Sequence, residues 1–89
     1  MEISCTASGK VQNVAYRVYV QDAAVKLELA GWVKNLPGGT VEIVAQGMPD
    51  VLKDFVEYLH EGSLLAKVES VSIDWRTAKK VLEDFSVKH

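Results

Sequence analysis

The sequence has few of the residues that cross-link small proteins. It contains one cysteine, Cys5, among 89 residues, so no disulfide can form within the chain. Its two histidines, His60 and His89, have no second ligand at a usable spacing, and the sequence therefore predicts no metal site. A fold of this chain must depend on the packing of its apolar residues, which make up 48% of the sequence.

Strong net charge and long apolar runs are also missing. Lys and Arg number 10 and Asp and Glu 12, which gives a formal net charge of −2. This balance argues against a broad electrostatic contact with nucleic acid, so any anion site must be local. No apolar run approaches the length of a membrane span, and the N-terminal residues show no secretory pattern. We expect one cytoplasmic domain over residues 1–89, with neither a membrane nor a nucleic-acid partner.

Hydrophobic periodicity predicts the first half of the fold. Alternation predicts a strand whose buried face carries Ile3, Cys5 and Ala7. Cys5 is accordingly interpreted as a small core residue rather than as a nucleophile. Residues 9–15 have no clear period and are predicted to form a loop. Apolar residues at helical spacing then predict a helix from Tyr16, which Gly31 is placed to end.

The second half alternates in the same way. Residues 31–36 and 40–47 predict the two strands of a hairpin around a turn at 37–39. Pro49 opens a second predicted helix and Gly62 ends it. Residues 67–76 predict a further strand and residues 84–89 a short last one. Their inner faces are predicted to carry Val71, Ile73, Trp75, Phe85 and Val87.

The resulting order is βαββαβ plus a short terminal strand. It predicts an α+β fold, the ferredoxin-like or split βαβ sandwich, in which an antiparallel sheet carries two helices on one face. This fold serves many functions and decides none of them.

Arg17 stands at the start of the first predicted helix, where the macrodipole is already positive. No acidic residue precedes Asp22 in that helix. Backbone N–H groups at a strand-to-helix turn form an anion cradle, and a guanidinium matches the geometry of phosphate or carboxylate. Gly9 would let the backbone turn there. The alternative is that Arg17 extends into solvent or pairs with Glu2 or Glu42.

Asn35 stands at the end of the second predicted strand. In a split βαβ fold this position can lie near the loop before the first helix. Its side-chain amide would offer one donor and one acceptor to a water molecule. The alternative is an asparagine that only shapes the following turn.

The segments GKVQNVAYR (9–17) and GWVKNLPGGTVEIVAQG (31–47) resemble the two motifs of the acylphosphatase family. Residues 9–17, GKVQNVAYR, resemble the family pattern G-x-V-Q-G-V-x-F-R. The matching positions are Gly9, Val11, Gln12, Val14 and Arg17. Residues 31–47, GWVKNLPGGTVEIVAQG, match every fixed position of G-[aromatic]-V/A-[K/R]-N-x-x-x-G-x-V-x-x-x-x-x-G. The resemblance extends over essentially the whole chain.

The resemblance implies an enzyme that hydrolyses acyl phosphates to a carboxylate and inorganic phosphate. It implies that Arg17 binds the phosphate and that Asn35 positions the attacking water. Backbone amides of the preceding loop would complete the phosphate site, namely those of Gly9, Lys10, Val11, Gln12, Asn13, Val14, Ala15 and Tyr16. A carboxylate can leave without a proton, so neither a general acid nor a metal or organic cofactor is implied. We expect a monomer that acts on a small-molecule substrate.

Asn13 departs from the family pattern, which has glycine at this position. Its side chain could crowd the phosphate, although asparagine tolerates positive φ better than most residues. This departure leaves open an alternative, an acylphosphatase-like domain that binds anions with weakened turnover. A nucleic-acid-binding sheet on the same fold is a further alternative. It would need aromatic residues on the exposed sheet face, whereas the alternation assigns Trp75 and Phe85 to the core.

Overall fold

The computed structural model describes all 89 residues and has seven elements. They are β1 (Glu2–Lys10), α1 (Tyr16–Lys26), β2 (Ala30–Asn35), β3 (Val41–Gln46), α2 (Pro49–Glu61), β4 (Lys67–Arg76) and β5 (Phe85–Lys88). The strands form one sheet in the order β4-β1-β3-β2-β5. The first four strands pair antiparallel, whereas β5 adds parallel to β2. The predicted ferredoxin-like α+β fold is confirmed, with a sheet that is mixed at this one edge.

The core lies between one face of the sheet and the two helices. The predicted inner residues of β1, Cys5 among them, are fully buried and lie opposite Val41, Ile43 and Ala45 of β3. Burial raises the pKa of the Cys5 thiol to about 12, in agreement with its interpretation as a core residue. The helices contribute Tyr16, Val20, Ala23, Ala24, Leu52, Phe55 and Leu59. Neither helix has the length and apolar character needed to cross a membrane.

The end of α1 differs from the prediction. The helix stops at Lys26, and Glu28 adopts the left-handed conformation with φ of 58°. Gly31 is therefore not the C-cap; it lies inside β2, with φ of 151°. A Cβ atom at Gly31 would overlap the carbonyl of Val44 on the neighbouring strand. Close approach of β2 to β3 is thus what requires glycine at this position.

The inner face of β4 is less covered than its alternation predicted. Val68 and Val71 pack against the core, but Ile73 and Trp75 remain 37% and 38% exposed. β4 is an edge strand, and the second half of its inner face is not buried by the helices. The assignment of Trp75 to the core was therefore wrong, whereas Phe85 is buried as predicted.

Glu2 is the buried charged residue of the fold. Its carboxylate pairs with the Arg76 guanidinium and accepts a hydrogen bond from Gln46 Nε2 at 2.8 Å. Burial by itself raises the pKa of Glu2, but the hydrogen bonds from Gln46 and Arg76 and the charge of Arg76 lower it below its usual value. Gln46 also holds the connector between β4 and β5, since it accepts from the Leu82 N–H at 2.9 Å.

Candidate functional site

A concave site of about 100 Å³ lies where β1 leads into α1. Its lining residues are Val11, Asn13, Ala15, Tyr16, Arg17, Val18 and Asn35. The topology thus brings the end of β2 next to the loop before α1, and it places Arg17 and Asn35 in one cavity. Two wider clefts of about 310 and 320 Å³ lie elsewhere on the surface, and neither contains a predicted site residue.

The loop before α1 presents backbone N–H groups that have no partner within the protein. No hydrogen bond joins the N–H groups of residues 11–15 to another protein atom, and the first helical donor is the Tyr19 N–H, 3.0 Å from the Ala15 carbonyl oxygen. Ala15 is the N-cap of α1, with a left-handed backbone and no side-chain cap. The amides at the start of the helix are therefore also free. Such a run of donors at a helix N-terminus favours an anion.

Arg17 keeps its charge uncompensated. The two ion pairs of the structure join Lys34 with Glu42 and Arg76 with Glu2, so the alternative that Arg17 pairs with either carboxylate is wrong. One guanidinium nitrogen of Arg17 donates to the carbonyl oxygen of Lys88 at 2.9 Å and lies 3.4 Å from His89 Nδ1. A neutral backbone carbonyl orients the guanidinium without cancelling its charge, and the first turn of α1 holds no acidic residue.

Asn35 carries a buried oxygen that the protein leaves unpaired. Its Oδ1 is the one buried side-chain polar atom without a hydrogen-bond partner. An unpaired buried acceptor costs about 1 to 3 kcal/mol, so such a group calls for a donor from outside the protein. Asn35 lines the same cavity as Arg17, so this unpaired acceptor belongs to a residue of the candidate site.

Two of the predicted phosphate-site residues lie outside the loop. Gly9 and Lys10 belong to β1, so the loop begins at Val11 rather than at Gly9. A β-bulge lies between Ser8 and Gly9, and a Cβ atom at Gly9 would overlap the carbonyl of Lys67 on β4. Glycine is thus needed here for the approach of β4 to β1, and Lys10 is exposed at the end of the strand.

Two further residues of the motif are buried and attach the site to other parts of the fold. Val14 is buried in the core, and its carbonyl oxygen accepts a hydrogen bond from Ser63 Oγ at 2.8 Å. Tyr16 is buried and its hydroxyl donates to the Leu59 carbonyl at 2.8 Å. Burial raises the pKa of this hydroxyl, so it stays protonated and keeps α1 attached to α2.

Comparison with known proteins decides the family. The family model described as Acylphosphatase matches residues 3–87. The chain belongs to the acylphosphatase family. An acylphosphatase of Salinibacter ruber is 37% identical over 97% of this chain and 90% of its own length. One of Marinobacter nauticus is 46% identical over 92% of this chain and 89% of its own. The crystal structure of acylphosphatase from Bacillus subtilis superposes with a TM-score of 0.93, at 38% identity and over 99% and 98% of the two chains.

Membership of the acylphosphatase family confirms the predicted fold and the predicted enzyme class, with hydrolysis of acyl phosphates as the reaction.

Asn13 stands where the family pattern has glycine. Asn13 is exposed at the rim of the cavity and adopts a φ of 59°. The backbone therefore takes the left-handed conformation that glycine favours, and asparagine is among the residues that tolerate it best.

Proposed function

We propose that the cavity at the start of α1 binds the phosphate group of an acyl phosphate. The Arg17 guanidinium and the free amides of residues 11–18 contact the phosphate oxygens. Asn35 holds the attacking water through its unpaired Oδ1. The observation that carries this proposal is the presence of an uncompensated cation, free backbone donors and a buried acceptor without a partner in one cavity.

The chemistry requires only these groups. The water oxygen forms a bond to phosphorus while the bond from phosphorus to the acyl oxygen breaks. The leaving carboxylate takes the electron pair, and the water's proton passes to a phosphate oxygen. Since a carboxylate is a stable anion near neutral pH, no acid is needed to protonate it. Phosphoryl transfer of this kind depends on positioning and on the stabilisation of negative charge, which fixed amides and a guanidinium supply.

The conformation at Asn13 favours a working enzyme over a weakened anion-binding domain. A side chain that distorted the loop would leave residue 13 outside the left-handed region, yet its φ of 59° lies within it. We therefore propose that the loop amides keep the directions that glycine would give them.

Hydrolysis of benzoyl phosphate by the unmodified chain and by Arg17→Ala tests the proposal. Loss of one preorganised charge-stabilising donor lowers the rate by about 10²- to 10³-fold, so kcat/KM should fall by this factor while the urea midpoint changes little. Asn35→Ala should lower kcat more than the affinity for inorganic phosphate. Near-normal turnover of Arg17→Ala would remove this residue from the site, and a normal kcat of Asn35→Ala would remove the proposed role of Asn35.

We also propose that the enzyme acts as a cytoplasmic monomer without a nucleic-acid or membrane partner. One chain supplies every residue of the proposed site, and the fold keeps its single thiol free, which suits a reducing compartment. The outer sheet face has one aromatic residue, Trp32, and its ring already lies 5.2 Å from Lys34 Nζ and 4.7 Å from Lys88 Nζ. Size-exclusion chromatography and a mobility-shift assay at physiological salt test these expectations.

A further inference from the structure

The side chain of Gln12 connects the two segments that form the proposed site. Its Nε2 donates to the carbonyl oxygen of Leu36 at 2.9 Å and to that of Thr40 at 2.8 Å. Both amide hydrogens are thereby used, and both acceptors lie at the turn between β2 and β3. The same turn is closed by the Leu36 N–H, 2.8 Å from the Thr40 carbonyl oxygen. The side chain of Gln12 therefore attaches the loop before α1 to a hydrogen-bonded turn of the hairpin.

This connection lies between the phosphate side and the water side of the cavity. Gln12 stands between Val11 and Asn13, which both line the cavity, and Leu36 directly follows Asn35. No backbone hydrogen bond joins residues 11–15 to the hairpin. Ser63 holds the other side of the loop, at the Val14 carbonyl, but it comes from the segment after α2. Hydrogen bonding between the loop and the hairpin that carries Asn35 thus runs through Gln12.

We propose that Gln12 is a positioning residue that fixes the distance between the phosphate-binding amides and Asn35. This inference rests on the proposed function, because it assigns the phosphate to the loop and the water to Asn35. The half-buried side chain of Gln12 points to the hairpin carbonyls and does not line the cavity. The side chain of Gln12 therefore acts through its neighbours rather than on the substrate, whereas its backbone N–H belongs to the proposed phosphate site. A displacement of the water by about 1 Å relative to phosphorus can lower a rate by about 10²-fold.

Gln12→Met tests the proposal, since methionine keeps the length of the side chain but has no hydrogen-bond donor. We expect kcat for benzoyl phosphate to fall by about tenfold or more, while the inhibition constant of inorganic phosphate stays within about threefold. The matched control is Gln21→Met. Gln21 Nε2 donates to the Phe85 carbonyl at 3.0 Å, outside the cavity. The control should lose a comparable hydrogen bond and keep its kcat.

A double-mutant cycle with Asn35→Ala separates positioning from other effects. If Gln12 acts by placing the loop relative to Asn35, Gln12→Met should lower kcat much less in the Asn35→Ala background. Additive losses, or an unchanged kcat of Gln12→Met, would overturn the inference while the proposed function stands. An unchanged kcat of Asn35→Ala by itself would instead show that the proposed role of Asn35 is wrong, and the inference would fall with it.

Gln12→Glu gives an independent readout if Gln12→Met does not fold. The carboxylate would face two carbonyl oxygens as an acceptor, whereas the protonated acid can donate to one of them. The kcat of Gln12→Glu relative to the unmodified chain should therefore rise as the pH falls from about 8 to about 5. A ratio that stays constant over this range would contradict the positioning role.

Discussion

Replacement of Asn13 by glycine tests the geometry of the phosphate loop. At a φ of 59° the conformation costs most L-residues about 1 to 2 kcal/mol, but asparagine is among the residues that tolerate it best. Glycine adopts this conformation without strain, yet it lowers the free energy of unfolding by about 0.4 to 1 kcal/mol because it gives the unfolded chain greater freedom. The two effects offset each other, so Asn13→Gly should change the free energy of unfolding by less than about 0.5 kcal/mol.

Ala15 provides the internal comparison, because it has nearly the same φ, 61°, in the same loop. Alanine has no polar side chain to compensate, and it is a poor N-cap compared with glycine. Ala15→Gly should therefore stabilise the fold, by about 0.5 to 1 kcal/mol. Urea unfolding of both variants measures the difference. Destabilisation of Ala15→Gly would show that the left-handed conformation of this loop is not the one that the chain adopts.

The activity of Asn13→Gly follows from its exposed position at the rim of the cavity. Removal of the side chain widens access and leaves the amide directions unchanged, so kcat/KM for benzoyl phosphate should rise by less than about tenfold, which is about 1.4 kcal/mol. A fall in kcat/KM would refute this reasoning and make the Asn13 amide a working part of the site.

Three further outcomes are expected, two for buried residues away from the site and one for the site itself. Since burial raises the pKa of Cys5 to about 12, a thiol reagent at about pH 8 should react with Cys5 only after unfolding; rapid reaction of the native protein would contradict its burial. Glu2→Gln should lower the free energy of unfolding near neutral pH. Because the native pKa of Glu2 is lowered, this loss should shrink as the pH falls through that pKa, and a constant loss in acid would count against the ion pair with Arg76. A guanidinium cannot be deprotonated in a protein and a carboxamide does not ionise, so kcat should not depend on pH between about 5 and 8 after correction for phosphate titration; a pH dependence abolished by His60→Ala or His89→Ala would reveal an overlooked base.

The sequence predicted those parts of the fold in which the hydrophobic periodicity matches the side chains that the folded protein buries. β4 begins and ends where its pattern predicts, and the helix from Tyr16 was correctly placed. The exposure of Trp75 could not be predicted, because alternation marks a face of a strand but not whether a helix covers it. Gly31 likewise fits a helix end locally, and only its approach to Val44 on the neighbouring strand shows its actual role.

The candidate site was predictable as a set of residues but not in its connections. Arg17 stood out because a cation at a helix start opposes the helix dipole, and Asn35 followed from the topology and the motif. The hydrogen bonds around the site join distant parts of the chain. Arg17 donates to the carbonyl oxygen of Lys88, and Gln12 donates to those of Leu36 and Thr40. No local pattern encodes such contacts. The unpaired Asn35 oxygen likewise became visible only with its surroundings in place.

Titration of the ¹⁵N-labelled protein with inorganic phosphate, followed by amide NMR shifts, tests the proposed phosphate site most directly. The N–H signals of residues 11–18 should move together with one dissociation constant, because their donors have no acceptor within the protein. In Arg17→Ala the same signals should move only at much higher phosphate concentration. Shifts confined to the cleft around Arg76, Lys79 and Lys80, or equal affinity in Arg17→Ala, would contradict phosphate binding at the start of α1.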